Sequence, residues 1–373
     1  MAADGSRLKI LFLEGFYGGS HKEFADGFIG AMPHETVLSS LPSERWKWRL
    51  NSSGLYFYQR HKEEISSYDL VFCTSMVNAS DFKALCGRNC PPLILYMHEN
   101  QLTYPRPKGA NRDIGLEMIN ISSCAAADAV VFNSHFHKAS FIEAMSHYAE
   151  MVPDTPLQRL ADEIDRKSEV LYPGMRYPDT SPIIRSGKKI PNIVWNHRWE
   201  FDKKPAVFFK ALRAVKNRNI PFTLTVLGEN SMSRPGDFLK AENEFSAEIV
   251  HSGFVKNKDR YHRLLGGGDI LVSTSIQENF GISVVEGMHA GLYPLLPERL
   301  SYPELIPEDC RPHILYRRFD GLVKRLSALC NGEIRSSGSI SITARLSEEA
   351  DKYKWENSVP AYDTLLQKAA GRG

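Results

Sequence analysis

No apolar run in the sequence approaches the roughly 20 residues that a helix needs to cross a bilayer. Its first residues, MAADGSRLKI, enter an apolar segment without the basic stretch and apolar core of a secretory leader. No membrane association and a cytoplasmic location are therefore expected. Cysteine is sparse: Cys73, Cys86, Cys90, Cys124, Cys310 and Cys330 are scattered through 373 residues, which excludes a dense disulfide framework and favours reduced thiols. Cys86 and Cys90 in CGRNC offer half of a metal-binding set, but no second Cys/His pair follows at ligand spacing, so no metal is expected. Charge of one sign is also lacking. A formal net charge of +2 neither requires nor excludes a polyanionic partner, because local patches steer nucleic acid. Low-complexity tracts and a solenoid period are missing as well.

What is present fits a soluble globular chain, with 42% hydrophobic and 24% charged residues. The length suggests two domains. Short apolar runs alternate with helical patterns, as parallel sheets built from βαβ units require. In the first half the expected strands are KILFLEGF, DLVFCTS, PLILYMHE and DAVVFNS; in the second they are NIVWNHRWE, TLTVLGEN, EIVHSGFV, DILVSTSIQENFG and LYPLLP. Between the halves, LYPGMRYPDTSPIIRSGKKI has the Pro, Gly, Ser and basic content of a linker. The expected organisation is α/β: two doubly wound Rossmann-like domains over residues 1–175 and 190–350, facing an interdomain cleft. Residues 351–373 form a helix expected to return to the first domain, with Pro360 breaking or kinking it.

Ligands of such sheets sit beyond the carboxyl ends of the strands, so the strand-to-helix loops carry the candidate chemistry. The loop GFYGGSH, with Gly18, Gly19, Ser20 and His21, lacks the dinucleotide spacing. It reads either as a phosphate- or acceptor-facing turn or as a tight turn capped by Ser20. After LILYM come His98, Glu99, Asn100 and Gln101, a dense polar group at a strand end. SERWKWRL reads as a strand with Arg45, Lys47 and Arg49 on one face and Trp46 and Trp48 on the other, which suits phosphates and stacked bases or an ordinary edge strand. Arg106, Lys108 and Arg112 add a second basic group.

In the second half, Gly281 turns the chain into a helix whose first amides can hold phosphate, and Glu278 and Glu286 flank that turn. The two glutamates suit sugar hydroxyls on either side of an anion; alternatively, Glu278 caps the helix and Glu286 faces solvent. In WNHRWEFDKKP, Arg198 and Lys203 gather where a diphosphate can lie, Asp202 is placed to cap the next helix, and Pro205 suits its first turn.

Glu278 and Glu286 with seven residues between them, and Arg198 followed five positions later by Lys203, resemble the signature of the large retaining GT-B glycosyltransferase family. That resemblance implies that Glu278 and His98 lie at the donor hexose, Glu286 at the ribose, Arg198 and Lys203 at the diphosphate. Asn279 occupies a variable position of the donor loop, while backbone at Phe280, Gly281 and Ile282 holds hexose and phosphates. It also places Gly18 and Gly19 at the donor from the opposite side of the cleft. The N-terminal motifs FYGGSHKEF, RWKWR, LYF, MHENQLTYP and DAVVFNSHFH are similar to those of the tRNA-queuosine mannosyltransferase family, over Ile10 to Trp355. This implies retaining transfer of mannose from GDP-mannose to queuosine at the wobble position of aspartate tRNA, with no metal cofactor and no obligate protein partner. Ser20, His21, Arg45, Lys47, Arg49, Glu99, Asn100 and Gln101 then fall on the acceptor side. The rival readings are a GT-B enzyme with another donor sugar or a non-tRNA acceptor, and a catalytically idle nucleotide- or RNA-binding module. The intact set Glu278, Glu286, Arg198 and Lys203 argues against the last.

Overall fold

The computed structural model describes residues 7–106, 109, 111–152, 154, 155, 157–178, 190–228 and 236–371. Lys108 and the 179–189 part of the linker segment lie outside them. The first apolar runs become β1 (Lys9–Tyr17), β2 (Glu35–Pro42), β3 (Leu70–Thr74), β4 (Leu93–Met97), β5 (Ala129–Phe132) and β6 (Ser168–Val170). They pair in parallel in the order 2-1-3-4-5-6. Connecting helices are α1 (Gly19–Ala31), α2 (Trp46–His61), α3 (Ala79–Cys86), α4 (Ile114–Ala126), α5 (His135–Met151) and α6 (Leu157–Arg166).

A second parallel sheet follows: β7 (Asn192–Asn196), β8 (Thr223–Leu227), β9 (Ile249–Gly253), β10 (Ile270–Val272), β11 (Tyr293–Pro297) and β12 (Leu315–Tyr316), in the order 12-11-10-7-8-9. Its helices include α7 (Pro205–Lys216), α8 (Gly236–Glu244), α9 (Lys258–Gly266) and α10 (Ile282–His289). The first order is the flavodoxin-like one and the second the Rossmann one, so each sheet has a switch point where connections diverge: β1/β3 in the first, β7/β10 in the second.

The chain divides into two units, one of residues up to Arg176 together with those from Tyr353 onward, the other of Tyr177–Lys352. In the first unit both sheet faces are buried, which is why its inner strands are continuous apolar runs. Leu11, Leu13, Val71, Cys73, Leu93 and Leu95 enter one core. Ile10, Phe12, Leu70, Phe72, Ile94 and Tyr96 enter the other, joined there by Trp355, Tyr362, Leu365 and Leu366 of the last helix, Trp355–Ala369. That helix runs unbroken through Pro360, contrary to the expected break. Proline forfeits one backbone bond there, and the burial of four large side chains outweighs it.

SERWKWRL departs from its expected structure. It is not a strand: Arg45 sits at φ +53 and α2 begins at Trp46. The period-two alternation spans only five residues, whereas Leu50, Ser53, Gly54, Phe57 and His61 recur at helical spacing and are buried. Packing therefore decides for helix. Among the described residues no helix is long and apolar enough to cross a membrane.

Candidate active site

In the second unit, the loops after β7 and β10 leave adjacent strands at the switch point and are tied together there. Lys203 ends a short 3-10 turn, Phe201–Lys203, and its side chain is only 8% exposed. Its Nζ donates to the Gln277 carbonyl at 2.7 Å and to Glu278 Oε2 at 3.3 Å. Asp202 Oδ2 lies 3.3 Å from the same nitrogen. Backbone bonds reinforce the junction: Ile276 N donates to the Asp202 carbonyl at 2.7 Å, and Thr274 Oγ1 to the Lys203 carbonyl at 2.8 Å. Asp202 is fully buried beside Lys203 and does not cap α7, which starts at Pro205 after Lys204 at φ +50. The expected cap fails because Asp202 is drawn inward, beside the ammonium of the buried Lys203.

Gly281, at φ +107, turns the loop into α10, and a side chain there would also approach Leu305 Cδ1 to 3.0 Å. The Phe280 carbonyl accepts from Ser301 Oγ at 2.8 Å, which steadies the turn. Asn279 is buried and accepts from Gln277 Nε2 at 3.1 Å, so its side chain serves the loop itself. Glu278 provides no cap to α10, whose N-cap residue is Gly281. Glu286 is not turned to solvent: its Oε2 accepts from Tyr261 OH at 2.6 Å, and that hydroxyl accepts from Asn196 Nδ2 at 2.7 Å. Burial and the Glu286 charge push the Tyr261 phenol well above its ordinary pKa, so it remains a donor. His197, beside Ser283, is held well below its ordinary pKa by burial and by Lys203. Arg198 is about half exposed and pairs with Glu200 at 3.4 Å. The structure thus joins Lys203 to Glu278 and anchors Glu286, while Arg198 is held beside Glu200.

In the first unit, β1 ends in the Gly18-Gly19 turn. A side chain at Gly18 would collide with Ser43 at 2.3 Å, and Gly19 has φ +52. Helix α1 begins at Gly19 with no side-chain cap, so Ser20 is not the capping residue. His21 points inward, its Nδ1 3.2 Å from Oε2 of the fully buried Glu14. The other Glu14 oxygen accepts from Phe16 N at 2.8 Å. The His98 ring centroid lies 4.3 Å from that of His21, and burial followed by the His21 charge holds His98 well below its ordinary pKa. Glu14, His21 and His98 place their ligand atoms within 4.8 Å of one another, a donor set that a divalent cation can use.

The rest of the polar strand end separates. Asn100 is fully buried; its Nδ2 donates to His137 Nε2 at 2.9 Å and its Oδ1 accepts from Thr103 N at 2.9 Å. It therefore builds the loop, and this corrects its expected place at the acceptor. Glu99 N donates to Ser75 Oγ at 3.4 Å and Gln101 N to Asn120 Oδ1 at 2.7 Å, which leaves both side chains half-buried at the strand end. Arg45 and Lys47 are exposed at the start of α2, where Lys47 pairs with Asp113 at 3.2 Å, and Arg49 is half-buried. Arg112 is committed to Glu117 at 3.2 Å and to the Tyr148 ring at 4.2 Å.

Residues 9–175 match the family described as tRNA-queuosine alpha-mannosyltransferase N-terminal, and residues 180–310 match glycosyl transferases group 1. The tRNA-queuosine alpha-mannosyltransferase of Drosophila melanogaster is 31% identical over 337 residues, 86% of each chain. This chain belongs to the tRNA-queuosine alpha-mannosyltransferase family. The member described here is a glycosyltransferase of GT-B fold. Its structure is similar to sucrose-phosphate synthase from Thermosynechococcus elongatus, with a TM-score of 0.75, 12% identity and 98% and 100% of the two chains covered. It is also similar to Anabaena HepE, solved with UDP and glucose, with a TM-score of 0.67, 15% identity and 97% and 100% covered. At these identities the likeness concerns the fold.

Sequence reasoning missed Glu14 and Tyr261. Glu14 sits inside an apolar strand, and a lone carboxylate in KILFLEGF was the signal that could have revealed it. Tyr261 carried no comparable signal, because its partners Asn196 and Glu286 are remote in sequence.

Proposed function

We propose that this family member transfers mannose, with retention of configuration, from GDP-mannose to the queuosine base at the wobble position of aspartate tRNA. The observation that carries this reading is the junction of Lys203, Gln277 and Glu278 at the β7/β10 switch point. The name of the Drosophila relative supplies the acceptor and the sugar.

In this reading Glu278, held by Lys203, accepts hydrogen bonds from donor hexose hydroxyls. Glu286, held by Tyr261, takes those of the ribose. The diphosphate lies at the N-terminus of α10, near Gly281 and Ile282, with Arg198 as a cation for it. Lys203 is already shared between Gln277 and Glu278, so it supplies positive field below the phosphate and fixes the loop. As the sugar–phosphate bond loosens, the leaving phosphate accepts the proton of the attacking hydroxyl. Positive charge from Arg198, Lys203 and the helix end then stabilises the departing diphosphate without a metal ion. On the acceptor side, Glu14 holds Nδ1 of His21 and aims the ring toward His98, with the turn at Gly18 and Gly19 letting substrate approach the backbone.

The test is hexose transfer to queuosine-containing tRNA, with GDP-mannose, GDP-glucose, UDP-galactose or no donor, read by the mass of the released nucleoside. The expected result is a hexose added from GDP-mannose alone and removable by an α-specific mannosidase. Transfer only from another donor reassigns the sugar, and transfer only to a non-tRNA acceptor overturns the reading.

A further inference from the structure

Helix α2 has a face that the proposed transfer does not use. Its buried side, Leu50, Ser53, Gly54, Phe57 and His61, packs into the first unit. On the opposite side Trp48, Ser52, Leu55, Tyr56, Gln59 and Arg60 are exposed, at the three- and four-residue intervals of one helical face. The exposure is large for apolar groups: 73% for Trp48, 52% for Leu55 and 41% for Tyr56. Ser52, Leu55, Tyr56, Gln59 and Arg60 line a shallow depression of about 520 Å³. Arg60 Nη1 donates to Tyr56 OH at 3.3 Å, which sets a guanidinium beside the phenol ring.

Charge selects the occupant. From Arg45 to Lys62 the chain has five Lys and Arg residues and no Asp or Glu. Within that run the buried Nε of Arg49 makes no hydrogen bond. Protein-binding surfaces are depleted of charge at their centre, whereas cations interleaved with exposed rings match a sugar-phosphate chain carrying unpaired bases. The face from Trp48 to Arg60 is about 18 Å long at the helical rise. That is the length of about five stacked nucleotides.

We propose that this face of α2 is a platform for an unpaired stretch of tRNA, with bases stacked on Trp48 and Tyr56 and a phosphate at Arg60. The inference rests on the tRNA acceptor reading above and names a docking surface for it. Stacking and phosphate contact leave different signatures, which separates them from a purely structural role. Binding of queuosine-containing tRNA to the full chain is measured by fluorescence anisotropy over a salt series, with the thermal midpoint checking each variant's fold. Trp48→Ala combined with Tyr56→Ala should weaken binding about tenfold at every salt concentration, with the salt slope unchanged. Trp48→Phe with Tyr56→Phe should restore most of it. Arg60→Ala should flatten the slope by about 1. If the wild-type chain binds tRNA and these variants bind it equally well, the platform is wrong and the acceptor reading stands. A concentration-dependent dimer lost in the same variants, with tRNA affinity untouched, overturns the proposal in favour of a second copy. A wild-type chain that transfers hexose but never binds tRNA overturns both readings.

Discussion

Lys203 occupies a position where three claims on one ammonium meet: the Gln277 carbonyl, Glu278 and the buried Asp202. Truncating it removes the charge proposed to act on the diphosphate and also leaves two carboxylates without their cation. Lys203→Ala should lower kcat for hexose transfer by about 10² to 10³, the scale of losing a preorganised charge-stabilising group. Lys203→Arg should not rescue it, because a planar fork does not fit a point-charge site. Glu278→Ala is expected to abolish turnover in the same assay while the thermal midpoint stays near wild type. Tyr261→Phe, which deletes the hydrogen bond to Glu286, should raise KM for the sugar nucleotide by about fivefold to tenfold and leave kcat nearly unchanged. His137 offers a different test. Burial holds its pKa down at about 3, with Asn133 and Asn100 satisfying both ring nitrogens. Its folded pKa lies below the unfolded value, so the unfolded chain binds the extra proton and stability falls as pH drops below about 6.5. Thermal melts at pH 7 and pH 5 should show this loss, about 2 kcal/mol from His137, and a His137→Gln variant should have a shallower pH dependence.

Helices and strands that bury a full face were readable from their letters; those decided by contacts remote in sequence were not. β1, β3, β4 and β5 follow the apolar runs closely, because strands covered on both sides leave no ambiguity of face. β2 escaped notice: ETVLSSLP is a largely half-exposed edge strand with little apolar content. β6, at three residues, is too short to show a period. α2 was misread because its first turn happens to alternate basic and aromatic residues, while the buried positions that decide its geometry come later. The candidate-site letters behave similarly. Glu278 and Lys203 were found by spacing, but only the folded loops show that they touch, across 75 residues. Asn100 looked like a ligand-facing residue because buried and exposed polar groups are indistinguishable in a strand-end sequence. The first turn of α2 carries its own prediction. Replacing Arg45, Lys47 and Arg49 together by alanine should weaken tRNA binding and lower its salt slope by about 2 to 3, read in the same titration. Unchanged affinity would make this turn a solvated helix start.

The two strand orders give each unit its own switch point, and the Lys203–Glu278 junction proposed to hold the donor sits at one of them. GDP-mannose should therefore slow amide exchange in residues 197–204 and 276–283, and hydrogen–deuterium exchange that leaves both segments unaffected would place the donor elsewhere. The chain's route has a further effect. The last helix, with Trp355 and Tyr362, closes one face of the first sheet over Phe24, Phe28 and Tyr96. Every residue of the second unit is synthesised before that helix exists. A nascent chain thus carries an uncovered aromatic face for as long as it takes to make Tyr177–Lys352. The first unit, although begun earlier, therefore cannot complete that core until the last stretch of the chain has been made.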